Sequence, residues 1–336
     1  MSPRSLLSHP PMVYKKVGGF EYPEFFEYFR KAVASVWRPE EVAMGADVTD
    51  WQQNLTESEK QLISGVLRGF TIMEMGISEY WGDVVCRKFP KPEVLSMARA
   101  FSLFEQIHAQ AYNHLSDTLG INESEAFLSD PAAQQKVERF FTECSSEKVS
   151  LAVFSGAGEG VSLFASFALL LAFNKTGRMK GLAQIISWSV SDEQNHSDGG
   201  CELFKQLVKE TGITDEEIRE IGVGFNTVLE NEFSFLGNIF DKIDNSEIPI
   251  RLEDLKAYIK LRANNRYSWL GLNLSIPMSD QERISAANIS SWFDPMVRGQ
   301  TNSDFFSQAK DGSAYVAKPS QDWMSVDLSR LDLTLA

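Results

Sequence analysis

Two short segments of the sequence carry a glutamate three residues before a histidine, Glu105-Gln-Ile-His108 and Glu193-Gln-Asn-His196. Residues at this spacing lie on one face of a helix, so each pair could hold one metal ion. Bundles that bind two iron or manganese ions combine two such pairs with a glutamate from each of two further helices. The pairs therefore suggest a dinuclear metal site, provided that the chain supplies two more glutamates.

Glu74 and Glu159 are the candidates for these positions. Glu159 comes just before an apolar run from Val161 to Phe173, and Glu74 is flanked by apolar residues. A carboxylate in such surroundings is costly to bury unless it is paired or binds a metal, although either residue could instead lie exposed on its helix. Four glutamates would neutralise two divalent cations, and one imidazole per ion would complete the ligands. Such an oxygen-rich set suits iron or manganese better than structural zinc.

Long helices must position these residues. Apolar residues recur at three- and four-residue spacing from about Thr56 to Leu270, and clusters of β-branched residues between tight turns are scarce. Capping boxes at Thr56-x-x-Glu59 and Thr214-x-x-Glu217 mark helix starts. The pattern predicts an all-α fold, a bundle of long helices. We expect helices near residues 57–83, 92–118, 131–148, 150–175, 178–209, 215–243 and 252–270.

The charge and composition of the 336 residues exclude several classes of function. A net charge of −14 would repel a phosphate backbone, so we expect no nucleic acid partner. The run from Val161 to Phe173 is shorter than the roughly 20 residues that cross a bilayer, so we interpret it as a buried core helix and expect no membrane association. The 3 cysteines lie far apart without a CxxC pair, and the N-terminus lacks the pattern of a signal peptide, which fits a cytoplasmic protein.

No stretch rich in Gly, Ser or Pro divides the chain into two globular halves. We therefore predict an N-terminal segment over residues 1–36, one helical domain over 37–289 and a flexible tail over 290–336. The tail is largely polar but carries regularly spaced leucines near its end. Such a segment is either a chain end without a role or one that folds onto another protein.

Several motifs resemble those of class I ribonucleotide reductase small subunits. Glu105-Gln-Ile-His-Ala-Gln-Ala-Tyr112 is similar to the ligand-and-radical motif of this family, and Asp192-Glu-Gln-Asn-His196 to its second motif. The resemblance extends from about residue 37 to residue 323 through Trp37-Arg-Pro-Glu-Glu41, Phe305-Phe306 and Ser313-Ala-Tyr315-Val316. It implies a ferritin-like bundle whose dinuclear centre activates O₂ or a related oxidant. The centre would hold two iron ions, two manganese ions or one of each per chain.

The resemblance also implies roles for individual residues. Tyr112, one turn beyond His108, would be oxidised to a radical. Asp192 would orient His108 through its outer ring nitrogen. The radical would pass through Trp37, Asp192 and Tyr315 to a large subunit, which reduces ribonucleotides to deoxyribonucleotides, and the small subunits would form a homodimer. The implied metal ligands are Glu74, Glu105, His108, Glu159, Glu193 and His196.

Some positions depart from the family pattern. Many members carry aspartate in place of Glu74, and glutamate there marks a subgroup associated with mixed manganese and iron, which usually lacks a tyrosine at the position of Tyr112. Leu163, often phenylalanine in relatives, and Ser189 alter the pocket around that tyrosine.

Two other functions suit the same scaffold: an oxidase or monooxygenase that acts on a bound organic molecule, and iron storage. The resemblance at Trp37, Asp192 and Tyr315 and the leucines of the tail favour the reductase over both, and the length of the chain further disfavours iron storage.

Overall fold

Helices begin where the sequence provides caps. The structure is a computed structural model that describes residues 5–8, 19–121 and 144–297, and every regular element among these residues is helical, as predicted. Thr56 and Thr214 form the expected capping boxes with Glu59 and Glu217. The long helices are α1 (Pro23–Ala34), α2 (Glu57–Glu79), α3 (Pro92–Leu119), α4 (Glu147–Thr176), α5 (Lys180–Thr211), α6 (Asp215–Phe240), α7 (Leu252–Leu270) and α8 (Asp280–Val297).

The predicted bounds agree with the structure to within a few residues for α2, α3, α5, α6 and α7. The predicted break near residue 149 is wrong, because Ser146 caps the start of α4 by accepting a hydrogen bond from Val149 N at 3.4 Å. The helix then continues to Thr176. The predicted helical residues 131–143 lie outside the described residues. Helices α1 and α8 are absent from the sequence prediction, and α8 continues past Pro295.

Helix α4 forms the centre of the bundle. It is long and apolar enough to cross a membrane, but the apolar window is 100% buried inside the protein, which confirms the prediction of a core helix. Its turns are not uniform: Glu147–Leu151 is α-helical, Ala152–Ser162 is π-helical, and Leu163–Ala172 is α-helical again. π-Helical turns occur frequently at functional sites. This one carries Glu159.

A glycine lets α4 lie close to its neighbours. A Cβ atom at Gly160 would come within 2.6 Å of Ser197 Oγ on α5 and 3.0 Å of Arg266 Cδ on α7. A larger residue at this position would therefore push the helices apart. The close approach brings the π-helical stretch of α4 against α5, where the second Glu-x-x-His pair lies.

The start of α5 is fixed by a buried carboxylate. Asp47 accepts hydrogen bonds from the backbone N–H groups of Gly181 and Leu182, both at 2.8 Å. These N–H groups have no partner within the helix, so the carboxylate satisfies them and interacts favourably with the helix dipole. The contact anchors α5 to the segment between α1 and α2.

The helical body includes residues on both sides of the predicted 37–289 domain. Helix α1 packs against α3 and α5 and buries Phe25 and Phe26. Helix α8 packs against α7 and buries Phe293 and Val297. Residues 298–336, which contain Tyr315 and most of the predicted tail, lie outside the described residues, so the tail stays a prediction.

Candidate metal centre

Four helices bring the predicted ligands to one point in the core. The Glu-x-x-His pairs lie on α3 and α5, and the two single glutamates come from α2 and from the π-helical stretch of α4. All of these side chains are 0% exposed, so none is an ordinary surface residue. The residues brought together are Glu74, Glu105, His108, Glu159, Glu193 and His196.

The ligand atoms form two overlapping groups. One contains Glu74, Glu105, His108 and Glu193, and the other contains Glu105, Glu159, Glu193 and His196. Within each group the ligand atoms lie within 4.8 Å of one another. Since Glu105 and Glu193 belong to both groups, they are placed to bridge two ions, while each ion would also have its own glutamate and histidine. This arrangement fits a dinuclear centre.

Buried polar atoms that lack hydrogen-bond partners also indicate that the cluster binds metal ions. Seven of the eight carboxylate oxygens of the four glutamates are buried without a hydrogen-bond partner, as are the Nδ1 atoms of His108 and His196. The eighth oxygen, Glu159 Oε1, accepts a hydrogen bond from Trp81 Nε1 at 2.5 Å. Buried polar atoms without a partner are costly and rare in proteins, so this concentration fits the binding of cations.

The electrostatics of the cluster also favour cations. Burial raises the pKa of Glu74 and of Glu159 well above the usual range, and repulsion by Glu105 and Glu193 raises both further. Burial, with repulsion by Glu105, raises the pKa of Glu193 to about 7. Burial acts on Glu105 in the same direction, but the adjacent histidines hold its pKa below the usual range. Two divalent cations would replace the bound protons and remove this repulsion.

His108 is held by groups on both sides of its ring. Its Nδ1 faces the cluster, 3.1 Å from Glu193 Oε1 and 3.4 Å from Glu105 Oε2. On the other side, Asp192 Oδ2 accepts hydrogen bonds from His108 Nε2 at 3.3 Å and from Trp37 Nε1 at 2.8 Å. A carboxylate behind a metal-ligating histidine fixes the tautomer and the orientation of the ring. The structure thus brings Trp37 and Asp192 into contact with the cluster.

Tyr112 lies one helical turn beyond His108 and is wholly buried. The centroid of its ring is 6.2 Å from that of His108 and 4.9 Å from that of Phe70. Burial raises the pKa of Tyr112 well above its ordinary value, and the charge of Glu74 raises it further. Leu163 and Ser189 are also buried. The phenol is therefore neutral and shielded from solvent.

Two tryptophans beside the site escaped the sequence analysis. Trp81 donates to Glu159, and Trp188 lies with its ring centroid 5.2 Å from that of Trp37. Trp81 follows Glu74 by seven residues, a spacing that returns to the same helix face and that could have suggested proximity to the site. Trp188 precedes Asp192 by four residues, which is the same kind of signal. Tyr315 lies outside the described residues.

The fold and the cluster define a helical protein of the dinuclear carboxylate class. The family described as "Ribonucleotide reductase, small chain" matches residues 16–277. Because this match covers most of the chain, the protein belongs to the ribonucleotide reductase small subunit family, whose fold is ferritin-like.

Individual relatives agree with this assignment. A protein of Invertebrate iridescent virus 6 named "Probable ribonucleoside-diphosphate reductase small subunit 376L" is 32% identical, over 75% of this chain and 81% of its own length. The ribonucleoside-diphosphate reductase small subunit of Dictyostelium discoideum is 28% identical, over 82% of this chain and 83% of its own length.

Two solved structures share the fold. One is the dimanganese(II)-NrdF of Streptococcus sanguinis, with a TM-score of 0.70, 20% identity, and coverage of 85% of this chain and 99% of that one. The other is the ribonucleotide reductase R2 subunit of Clostridium botulinum, with a TM-score of 0.70, 19% identity, and coverage of 84% and 91%. At this level of identity the likeness concerns the fold alone.

Proposed function

We propose that the chain is the radical-generating small subunit of a ribonucleoside-diphosphate reductase. In this proposal the six clustered side chains bind two metal ions, Tyr112 is oxidised, and the oxidising equivalent passes by way of Asp192, Trp37 and Tyr315 to a large subunit. The observation that carries the proposal is the hydrogen-bonded series from His108 through Asp192 to Trp37, which leads away from the cluster. The names of the relatives support the diphosphate as the substrate form.

The residues of the cluster suit iron, manganese or one ion of each. Oxygen ligands with one imidazole per ion match the preferences of these metals. When bound, the metal pair would activate O₂ or a related oxidant and so supply the oxidising power. The protein's own contribution is to hold Glu105 and Glu193 where both ions can share them, and to exclude water from the site.

Tyr112 would store the oxidising equivalent by giving up one electron and its phenolic proton. Its surroundings support this role, because the ring packs against Phe70, which in turn packs against Phe167 with centroids 5.0 Å apart. Such apolar neighbours keep water and small reductants away from the ring. Storage on the metals themselves is the alternative, and the experiment below distinguishes the two.

A cleft of about 630 Å³ supports transfer to a partner on the side of Asp192. Asp192 lines the cleft, and so does Val297, after which residues 298–336 begin. Val297, the last described residue before the segment that contains Tyr315, therefore lines the same cleft as Asp192. We propose that this segment and the large subunit cover the cleft when the two subunits act together.

We also propose that two copies of the chain associate through α2 and α3. Ser78 and Ser102 hydrogen bond to each other between these helices. Beside them lie Met75 and Leu103, which are 50% and 53% exposed although they are large and apolar. A second copy would cover them. None of the 3 cysteines forms a disulfide bond, which supports a reducing cytoplasm as the compartment.

Metal loading followed by electron paramagnetic resonance tests the proposal. Protein loaded with iron, manganese or both under O₂ should contain about two metals per chain and a tyrosyl radical that Tyr112→Phe abolishes. Two metals without such a radical would favour storage on the metals or the oxidase alternative. Tyr315→Phe should keep the metals and the radical yet lose ribonucleotide reduction with the large subunit. Turnover by that variant would contradict the role of the C-terminal segment.

A further inference from the structure

The two halves of the metal centre differ in the hydrogen bonds that their ligands make. Both carboxylate oxygens of Glu74 are free of hydrogen bonds. Glu159, the corresponding glutamate of the other half, has one free oxygen, Oε2, while its Oε1 accepts from Trp81 Nε1 at 2.5 Å. Each half also adds one histidine and shares Glu105 and Glu193, but His108 Nε2 contacts Asp192 whereas His196 Nε2 has no hydrogen-bond partner.

The indole of Trp81 is held rigidly. It is 0% exposed, and it meets the rings of Phe101 and Phe154 edge-on, with centroids 4.9 Å and 6.1 Å away. On the side of α5 it lies against Gly200, where an added Cβ would come within 3.1 Å of the indole. This packing fixes the orientation of the indole, so that its Nε1–H group points toward Glu159.

Trp81 and Glu159 both lie on π-helical turns, Tyr80–Val85 and Ala152–Ser162. Each extra residue in such a turn rotates the following side chains relative to a regular helix. The contact thus depends on two local departures from α-helical geometry that face each other across the bundle.

The hydrogen bond limits how Glu159 can coordinate a metal. The indole N–H is a donor only, and a bond from it to a carboxylate is charge-assisted and strong. Although Oε1 keeps a second lone pair, the fixed N–H of Trp81 opposes the rotation of the carboxylate that would bring both oxygens onto the same ion. Leaving a buried N–H without a partner is costly. Glu74 carries no such restraint.

We propose that Trp81 is a positioning residue that restricts Glu159 to coordination through Oε2 alone. The ion held by Glu159 and His196 would then have one protein oxygen ligand fewer than the ion on the other side, which Glu74 can bind through both of its oxygens. That position binds its metal less strongly and keeps a coordination place open for a small exogenous ligand. This inference rests on the metal centre proposed above.

Crystal structures of manganese(II)-loaded protein, with anomalous scattering to locate the ions, test the inference. The wild type should show Glu159 bonded through Oε2 only, with Oε1 still on Trp81. In Trp81→Phe, both oxygens should lie within bonding distance of the ion. At one manganese per chain, the wild type should fill the position of Glu74 and His108 first, and this preference should be weaker in Trp81→Phe but not lost, because the contact between His108 and Asp192 remains.

Controls separate the hydrogen bond from packing. Tyr80→Phe alters the neighbouring residue on the same turn, which contacts Ser150 rather than the cluster, and should behave as wild type. If Trp81→Phe fails to fold, benzothienylalanine at position 81 keeps the ring size without the N–H group. Chelation by Glu159 in the wild type, or single-oxygen binding in the variants that lack the donor, would overturn the inference. Absence of metal from both positions of the wild type would instead contradict the metal centre itself.

Discussion

Metal-free protein should lose stability as the pH rises, because the cluster buries several carboxylates together. Burial raises the pKa of Glu193 from its ordinary 4.5 to about 7, and repulsion by Glu105 adds to the rise. At a pH between 4.5 and about 7, Glu193 holds a proton in the folded chain that it has lost in the unfolded chain. The free energy of unfolding therefore falls as the pH rises through this range. The difference between the pKa of Glu193 in the folded chain and in the unfolded chain corresponds to about 3 kcal/mol, since one pKa unit is about 1.4 kcal/mol.

The carboxylates of Glu74 and Glu159 also make the metal-free protein less stable as the pH rises. Burial, with repulsion from the other glutamates, raises the pKa of Glu74 and of Glu159 well above the usual range. The metal-free protein should therefore be less stable at pH 8 than at pH 5 by at least about 3 kcal/mol. Bound divalent cations take the place of the protons, so the metal-loaded protein should not show this loss.

Urea unfolding of metal-free protein between pH 5 and pH 8 measures the effect. Glu193→Gln should reduce the fall in unfolding free energy by about 3 kcal/mol, because the titrating group is gone. Equal stability of metal-free wild type at both pH values, or an undiminished fall in Glu193→Gln, would refute the reasoning.

Three other changes probe separate parts of the molecule. Asp192→Ala leaves Trp37 Nε1 and His108 Nε2 without their acceptor, so metal affinity in a competition titration should fall by about 10–100-fold. Leu170→Ala opens a cavity in the buried part of α4 and should lower the unfolding free energy in urea by about 2–5 kcal/mol. A chain that ends at Val297 should bind metals as the full chain does but support no ribonucleotide reduction, and retained turnover would contradict the role of residues 298–336.

The two Glu-x-x-His pairs of the proposed site could be predicted because their geometry is local. Glu105 and His108 share a helix face by spacing alone, and so do Glu193 and His196. The capping box at Thr56 likewise needs only four consecutive residues. The overall helical class follows from the same short-range periodicity. Nothing about distant contacts was needed for these predictions.

Features that depend on tertiary contacts could not be predicted in this way. The sequence does not reveal that Glu105 and Glu193, rather than the other glutamates, belong to both ligand groups, because this depends on how α3 and α5 pack. The hydrogen bond from Trp81 to Glu159 depends on two π-helical turns, which have no simple sequence signature. Helix α8 was missed because Pro295 suggested an irregular chain, although proline near the end of a helix disrupts only its last turn.

One helix separates the outside of the protein from the proposed metal ligands. Along α5, Ser191, Gln194 and Asn195 line the surface cleft, while Glu193 and His196, interleaved with them, face the cluster. The thickness of the wall is thus a single helix, about 10 Å across. The helix that lines the cleft is the one that carries two of the proposed ligands, so the cleft and the buried cluster are connected without any intervening loop.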